Sequence, residues 1–214
     1  MERDIRTFAI GALALAAIAG TASAATRTIN FDQDALGNSI SDLTAVSNQY
    51  AAWGVTFTPN AFTGGSWATN TGMTATSTDV GGGYDPSLGN VLHAFNIDWL
   101  SEDGDPSFLI SFSTGITSIS LDVIGDTGGR DGLQTFVALF DASFNQVGFF
   151  DASGIGGVEN ISLSGFGTAY YAAVAHGDFL DWVGIDNITY TEVPAPGALA
   201  LVGLAGVFAG RRRR

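Results

Sequence analysis

Carboxylates are the only residues this chain offers in number for chemistry, and the company they keep decides which chemistry is open. There are two histidines, His93 and His176, and no cysteine. No Gly-x-Ser-x-Gly elbow, His-Glu-x-x-His pair or phosphate-cradling glycine loop occurs. Zinc–thiolate sites and cysteine nucleophiles are excluded outright. His176 precedes Gly177-Asp178 at an expected strand end, and His93 falls inside an expected strand, so both read as structural residues. Acids are spread so evenly that no pair is set apart as the two carboxylates of a glycosidase. The chain is expected not to be an enzyme.

Oxygen-rich turns point instead towards Ca²⁺, which takes about six to eight oxygens from carboxylates, carbonyls and amides. Ser101-Glu-Asp-Gly-Asp-Pro106 gathers three carboxylates, and Asp126-Thr-Gly-Gly-Arg-Asp-Gly132 spaces two across glycines. Neither matches the helical calcium-loop pattern, and solvated turns are the simpler reading of both. A sharper signal sits near the end of the chain. Ile185 and Ile188 are three apart, whereas strand side chains alternate in twos. Both reach a core only if a bulge at Asp186-Asn187 intervenes, turning a carboxylate and carbonyls outward. Otherwise Asp186 caps a turn or accepts from a backbone amide. Trp53, Trp67, Trp99, Trp182 and Tyr84 are candidates for stacking against sugar rings, with burial in the core as the alternative. Trp67 and Tyr84, inside the Gly- and Thr-rich stretch 60–86, are the pair expected at the surface.

Strands must position these groups. Ten strand-like runs are expected, at residues 26–32, 54–58, 90–96, 107–113, 117–124, 133–141, 146–150, 159–164, 169–176 and 182–191. Phe108, Ile110 and Phe112 alternate with smaller residues, as do Ile119, Leu121 and Val123, so each run is half-buried. Residues 136–140 are apolar on both parities, which suits a central strand. One short helix is expected around residues 43–53. Ten strands punctuated by turn signals imply an antiparallel sandwich.

The ends of the chain have a different character. Residues 1–24 read as a secretory signal, with Arg3 and Arg6, an apolar stretch at 8–19 and Ala22-Ser23-Ala24 before Ala25. At the other end, residues 193–214 form a tail in three parts. Val193-Pro194-Ala195-Pro196 is followed by an uncharged run, residues 197–210, and then by Arg211, Arg212, Arg213 and Arg214. A bilayer needs about 20 apolar residues, so this span is short. Local thinning and snorkelling of the arginines would close the gap, leaving them on the cytoplasmic side. Between lies a body, residues 25–192, with two arginines, Arg27 and Arg130, against nineteen acids, a net charge of −17. Such a body repels nucleic acid, and without disulfides it must rest on packing or metal.

The tail resembles the PEP-CTERM sorting domain of Gram-negative bacteria, with Ala195 where that signature carries Glu. The resemblance implies an inner-membrane-anchored precursor whose tail an exosortase-type enzyme removes, leaving the body in the cell envelope or outside the cell. Ile29-Asn-Phe-Asp32, Gln49-Tyr-Ala-Ala-Trp-Gly-Val-Thr-Phe57, Phe140-Asp-Ala-Ser-Phe-Asn-Gln-Val-Gly148 and Gly184-Ile-Asp-Asn-Ile-Thr-Tyr190 resemble the jelly-roll ectodomains that precede such tails. The expected fold class is therefore all-β, an antiparallel jelly-roll-like β-sandwich flanked by an N-terminal signal helix and a C-terminal transmembrane helix. The resemblance also brings the first and last strands together, which makes Asp32 and Asp186 the expected ligands of a structural Ca²⁺. Three roles are open for the body: a structural or adhesive component of envelope or exopolysaccharide matrix, a carbohydrate-binding module, and a glycoside hydrolase.

Overall fold

Alternation between core and solvent runs along the longest strands and fixes where the sheet bends. The computed structural model describes residues 24–42, 44–59, 74–76, 89–93, 107–126, 134–175 and 183–194. Among them are ten strands: β1 (Thr26–Ile29), β2 (Thr44–Ala45), β3 (Val55–Pro59), β4 (Thr74–Thr76), β5 (Val91–His93), β6 (Phe108–Ile124), β7 (Phe136–Phe140), β8 (Gln146–Asp151), β9 (Val158–Ala175) and β10 (Gly184–Glu192). Every pairing is antiparallel, in the order β2-β4-β5-β10-β6-β9-β7-β8, with β1 also on β10 and β3 also on β6.

β6 and β9 serve both halves of this sheet. The first part of β6 pairs with β3 and the second with β10, while β9 follows β6 along both. In β6 the buried side chains include Phe108, Ile110, Phe112 and Ile116, then Ile119, Leu121 and Val123. The switch from even to odd positions requires a phase break, and the β6–β9 register shifts between Ser111 and Ser118 supply it. On β9 the same bend falls at Gly165 and Gly167, both at positive φ, which glycine alone adopts freely. Runs 107–113 and 117–124 are thus one strand, as are 159–164 and 169–176. Sequence alternation marked each half and missed the continuity.

Both halves face one hydrophobic core, making a β-sandwich. Phe57, Ile110, Val137 and Leu139 come from one half, and Ile29, Leu121, Ile161 and Ile188 from the other. The Phe112 and Tyr190 rings meet across it with centroids 5.1 Å apart. Each fully buried side chain of this size contributes about 1.5–3 kcal/mol. β7 has a partner on each side, as its double-sided apolarity requires.

The helix expected at 43–53 is replaced by β2, a turn and a single 3₁₀ turn, Ala51–Trp53. The Gln49 side chain accepts from the Ser47 amide and donates to the Ala45 carbonyl, competing with helical bonds. Gly54, at φ 73, then ends the turn. No helix among the described residues is long and apolar enough to cross a membrane. The segments read as signal and sorting span, residues 1–23 and 195–214, lie outside the described residues, as does the acidic turn 101–106.

A candidate metal centre where the first and last strands meet

β1 runs antiparallel to β10 with Ile29 opposite Ile188, so the chain leaving β1 passes the chain entering β10. Asp32 is carried out of the first and Asp186 into the second at the same end of the pair. The bulge lies where the Ile185–Ile188 spacing requires it. Asp186 is opposite Asp122 and Thr189 opposite Ser120, so β10 spends one residue more than β6. Ile185 and Ile188 are both fully buried. In one respect the expectation is corrected: Asn187 faces solvent, and Asp186 is buried at 2 % exposure.

The backbone around the two aspartates is held in an uncommon conformation. Phe31 and Asn187 have φ of 57° and 47°, two of the three non-glycine residues with positive φ among those described. Such residues cost of order 1–3 kcal/mol each and persist where the surroundings enforce them. Asn90, itself buried, enforces one: its amide nitrogen donates to the carbonyls of Phe31 and Ile40, at 3.1 and 2.8 Å. Its backbone N–H donates to Asp32 Oδ1 at 2.7 Å. Gly89, at φ +86, lies so close that any Cβ there would strike the Asp32 carboxylate.

Asp186 is the unusual group. Its Oδ1 is buried and has no hydrogen-bond partner among the described residues. Burial pushes its pKa up to about 7, and the negative charges of Asp32 and Asp122 push the same way, against the favourable Asn187 N–H. The Tyr50 hydroxyl is also buried, and burial holds it protonated against the opposing Phe31 backbone, with Asp186 and Asp32 adding to the effect. Asp122, by contrast, accepts from Asn160 Nδ2 at 2.7 Å and Asn187 Nδ2 at 3.0 Å. No group of three or more His, Asp or Glu side chains is placed to hold a metal among the described residues. A cation here would therefore take two carboxylates, from Asp32 and Asp186, and fill its sphere with carbonyl, amide or water oxygens. Ca²⁺ tolerates that mixture.

Other sequence candidates fare differently. Asp126 is not a solvated turn residue: it is 3 % exposed and accepts from the Thr135 N–H at 2.7 Å. Residues 127–133, Trp67, Tyr84, Trp99, His176 and Trp182 lie outside the described residues. His93 is on β5, opposite Thr74. Trp53 packs on Tyr50 and is covered by the Arg27 guanidinium at 5.4 Å, which also bonds Glu192 at 2.9 Å. In the segment expected to be a sorting motif, the Val193 N–H donates to the Gly115 carbonyl at 2.7 Å and Pro194 is exposed, while Ala195, Pro196 and the four arginines lie outside the described residues.

Aromatics that the sequence reading passed over are exposed on the other half. Phe144, 58 % exposed at the β7–β8 turn, stacks on Tyr171 with centroids 4.2 Å apart and planes 13° from parallel. Phe149 lies against Phe136 at 5.5 Å. The available signal was position: Phe144 sits in an Asp-x-x-x-Asn turn, where a large apolar residue has no core to enter. Asp141 ties that turn by accepting from the Ser143 N–H at 2.8 Å and from the Asn145 N–H and Nδ2, each at 2.9 Å.

No family model matches the chain, and no curated protein matches its sequence. Among solved structures it is similar to the K2 cleaved adhesin domain of Lys-gingipain, at 14 % identity and a TM-score of 0.43 over 78 % of this chain and 99 % of that one. The K3 cleaved adhesin domain of Lys-gingipain from Porphyromonas gingivalis matches at 15 % identity and a TM-score of 0.40, over 64 % and 90 %. A family 29 carbohydrate-binding module from Piromyces equi matches at 13 % identity and 0.34, over 65 % and 91 %. Likenesses this distant bear on neither ligand nor role.

Proposed function

We propose that this chain is an exported, non-catalytic protein of the PEP-CTERM type whose jelly-roll-like body is clamped by Ca²⁺ and serves a structural or adhesive role in the cell envelope or extracellular matrix. One observation carries the reading: the Asp186 carboxylate is buried, unpartnered at Oδ1 among the described residues and within electrostatic reach of Asp32. An uncompensated charge that deep is strongly destabilising, and a divalent cation between the two acids would remove the penalty. With two carboxylates the site belongs to the weak class, with dissociation constants of about 10⁻⁴–10⁻³ M, typical of extracellular modules. Such a site fills outside the cytoplasm and stays empty within it, which accords with the signal at residues 1–24. The order of Pro-Ala-Pro, short apolar span and Arg211–Arg214 supports transient inner-membrane retention and release by an exosortase-type enzyme.

Terbium luminescence tests the clamp, because Tyr50 and the Trp53 packed on it would sensitise a lanthanide in the calcium position. Emission that Ca²⁺ displaces, and that Asp186→Ala abolishes, is the expected result. Absence of sensitised emission from the parent protein removes the site.

A second reading, polysaccharide binding, is favoured by the exposed Phe144 ring braced on Tyr171. A flat aromatic held rigid at a sandwich surface offers a face to a sugar ring at little cost in side-chain entropy.

A further inference from the structure

Among the described residues, the large apolar side chains left exposed are gathered in one stretch of the chain. Of Leu36, Phe144, Phe149, Phe150, Ile155 and Val158, five fall between residues 144 and 158. β8 carries two of them and ends the strand order, with β7 on one side and no strand among the described residues on the other. Its edge lacks the usual protection. Between Gln146 and Asp151 there is no Lys, Arg or Pro, and the only charge is at Asp151. The one irregularity, an extra residue at Val147, sits at the hairpin end and leaves the pairing from Gly148 to Asp151 regular.

We propose that β8 pairs antiparallel with β8 of a second copy, around a two-fold axis at Phe149. An axis perpendicular to the sheet keeps inner and outer faces in register, so each residue meets one of its own parity. Phe149 then faces its own counterpart. Gly148 faces Phe150 of the second copy, whose ring covers the space a glycine leaves on the pleat. Asp151 stands across from Val147 of the second copy, so no two acids are directly opposed. This self-complementarity singles out another copy of this chain. The edge itself, with its one charge at Asp151, offers little to a partner recruited by charge.

Size and charge set the strength. Phe144, Phe149 and Phe150, exposed by 58, 47 and 37 %, bring roughly 500 Å² of aromatic surface from the two copies together. Stable interfaces bury about 1,200–2,000 Å², so the backbone edges and the other side chains along β8 must supply the rest. The pair is consequently weak, and repulsion between two acidic bodies makes it tighten as salt is added.

The chain has no cysteine, which permits a clean crosslinking test. In the full chain exported by its host, Phe149→Cys should give a disulfide-linked dimer on mild oxidation. Leu36→Cys, at a site 77 % exposed but outside the interface, should stay monomeric. Equal crosslinking at both positions, or none at 149, overturns the proposal. A second variant guards against a folding artefact. Phe149→Lys should sediment as a monomer and melt with the parent when both are far below the dissociation constant, while the parent sediments as a dimer at about 0.1 mM, a hundredfold above a micromolar dissociation constant. A parent that stays monomeric there, in moderate salt, also overturns it.

Discussion

Asp186 and Asp122 stand opposite one another on β10 and β6, yet their carboxylates are answered unequally. Both Asp122 oxygens accept side-chain amides, from Asn160 and from the bulge residue Asn187. Asp186 Oδ1 has no such donor among the described residues. The bulge that satisfies one carboxylate therefore isolates the other, and like charges directly across a ladder are unfavourable in any case. That asymmetry is the physical reason to expect a cation on the Asp186 side.

The same asymmetry predicts an inverted pH dependence when cations are removed. The folded pKa of Asp186 is about 7, against 3.8 for the free group. Between those values the folded protein holds a proton that the unfolded chain has lost, so stability falls as pH rises. The loss is complete above pH 7 and amounts to about 4 kcal/mol. Asp34 and Asp141, whose carboxyls are lowered by Asn38 and Asn145, act only below that window. In chelator, the melting temperature should be higher at pH 5 than at pH 8, and Asp186→Asn should flatten the profile. A parent profile already flat between pH 5 and 8 contradicts this account.

Calcium should reverse the effect. At a hundred times its dissociation constant, a ligand of the folded state alone adds about 2.7 kcal/mol. For a body of this size that is on the order of 5–10 °C in melting temperature. Asp186→Ala and Asp32→Ala should each abolish the calcium-dependent rise at pH 8. Gly89→Ala should weaken it too, since the added methyl displaces the Asp32 carboxylate and strains a backbone at φ +86. Scanning calorimetry with and without chelator measures all four proteins.

How far the sequence could be read depends on how local each signal is. The three-residue spacing of Ile185 and Ile188 announced the bulge because a period-two strand admits no other way to bury both. It did not reveal that Asp186 goes inside, since Asn90, Gly89 and the turn at Phe31 arrive from distant parts of the chain. The strands were legible from alternation, but the bend joining both parts of β6 was not: phase shift and chain break look alike in one dimension. β2 and β4 are two and three residues long, too short for any period to show. The helix expected at 43–53 failed because side-chain bonds from Gln49 and the fully buried Tyr50 outweigh helix propensity.

If the polysaccharide reading holds, affinity resides in the braced ring. Aromatic contacts of this kind are worth about 0.5–1.5 kcal/mol. Phe144→Ala should therefore weaken retardation in polysaccharide-containing gels by roughly two- to tenfold. Because the side chain is 58 % exposed, its melting temperature should hardly change. Tyr171→Ala should lose the same affinity by removing the brace. Trp67→Ala is the comparison: binding lost there and retained without Phe144 returns the site to the residue first favoured on sequence.

The proposal that residues 193–214 are a sorting tail makes the last prediction. The sheet ends its hold on the chain at Val193, whose N–H is bonded to Gly115, and Pro194 stands exposed beside it. Cleavage between Pro194 and Gly197 would thus leave the body's strands intact while releasing residues 197–214. Mass spectrometry of the protein from its native host should find a mature form that begins near Ala25 and lacks Arg211–Arg214. Deleting the host's exosortase should restore the arginines and return the protein to the membrane fraction. Replacing Ala195 with Glu, the residue of the family signature, should leave the product unchanged and speed its appearance. A mature form that still carries all four arginines in the normal host would show that the tail is an anchor and not a sorting signal.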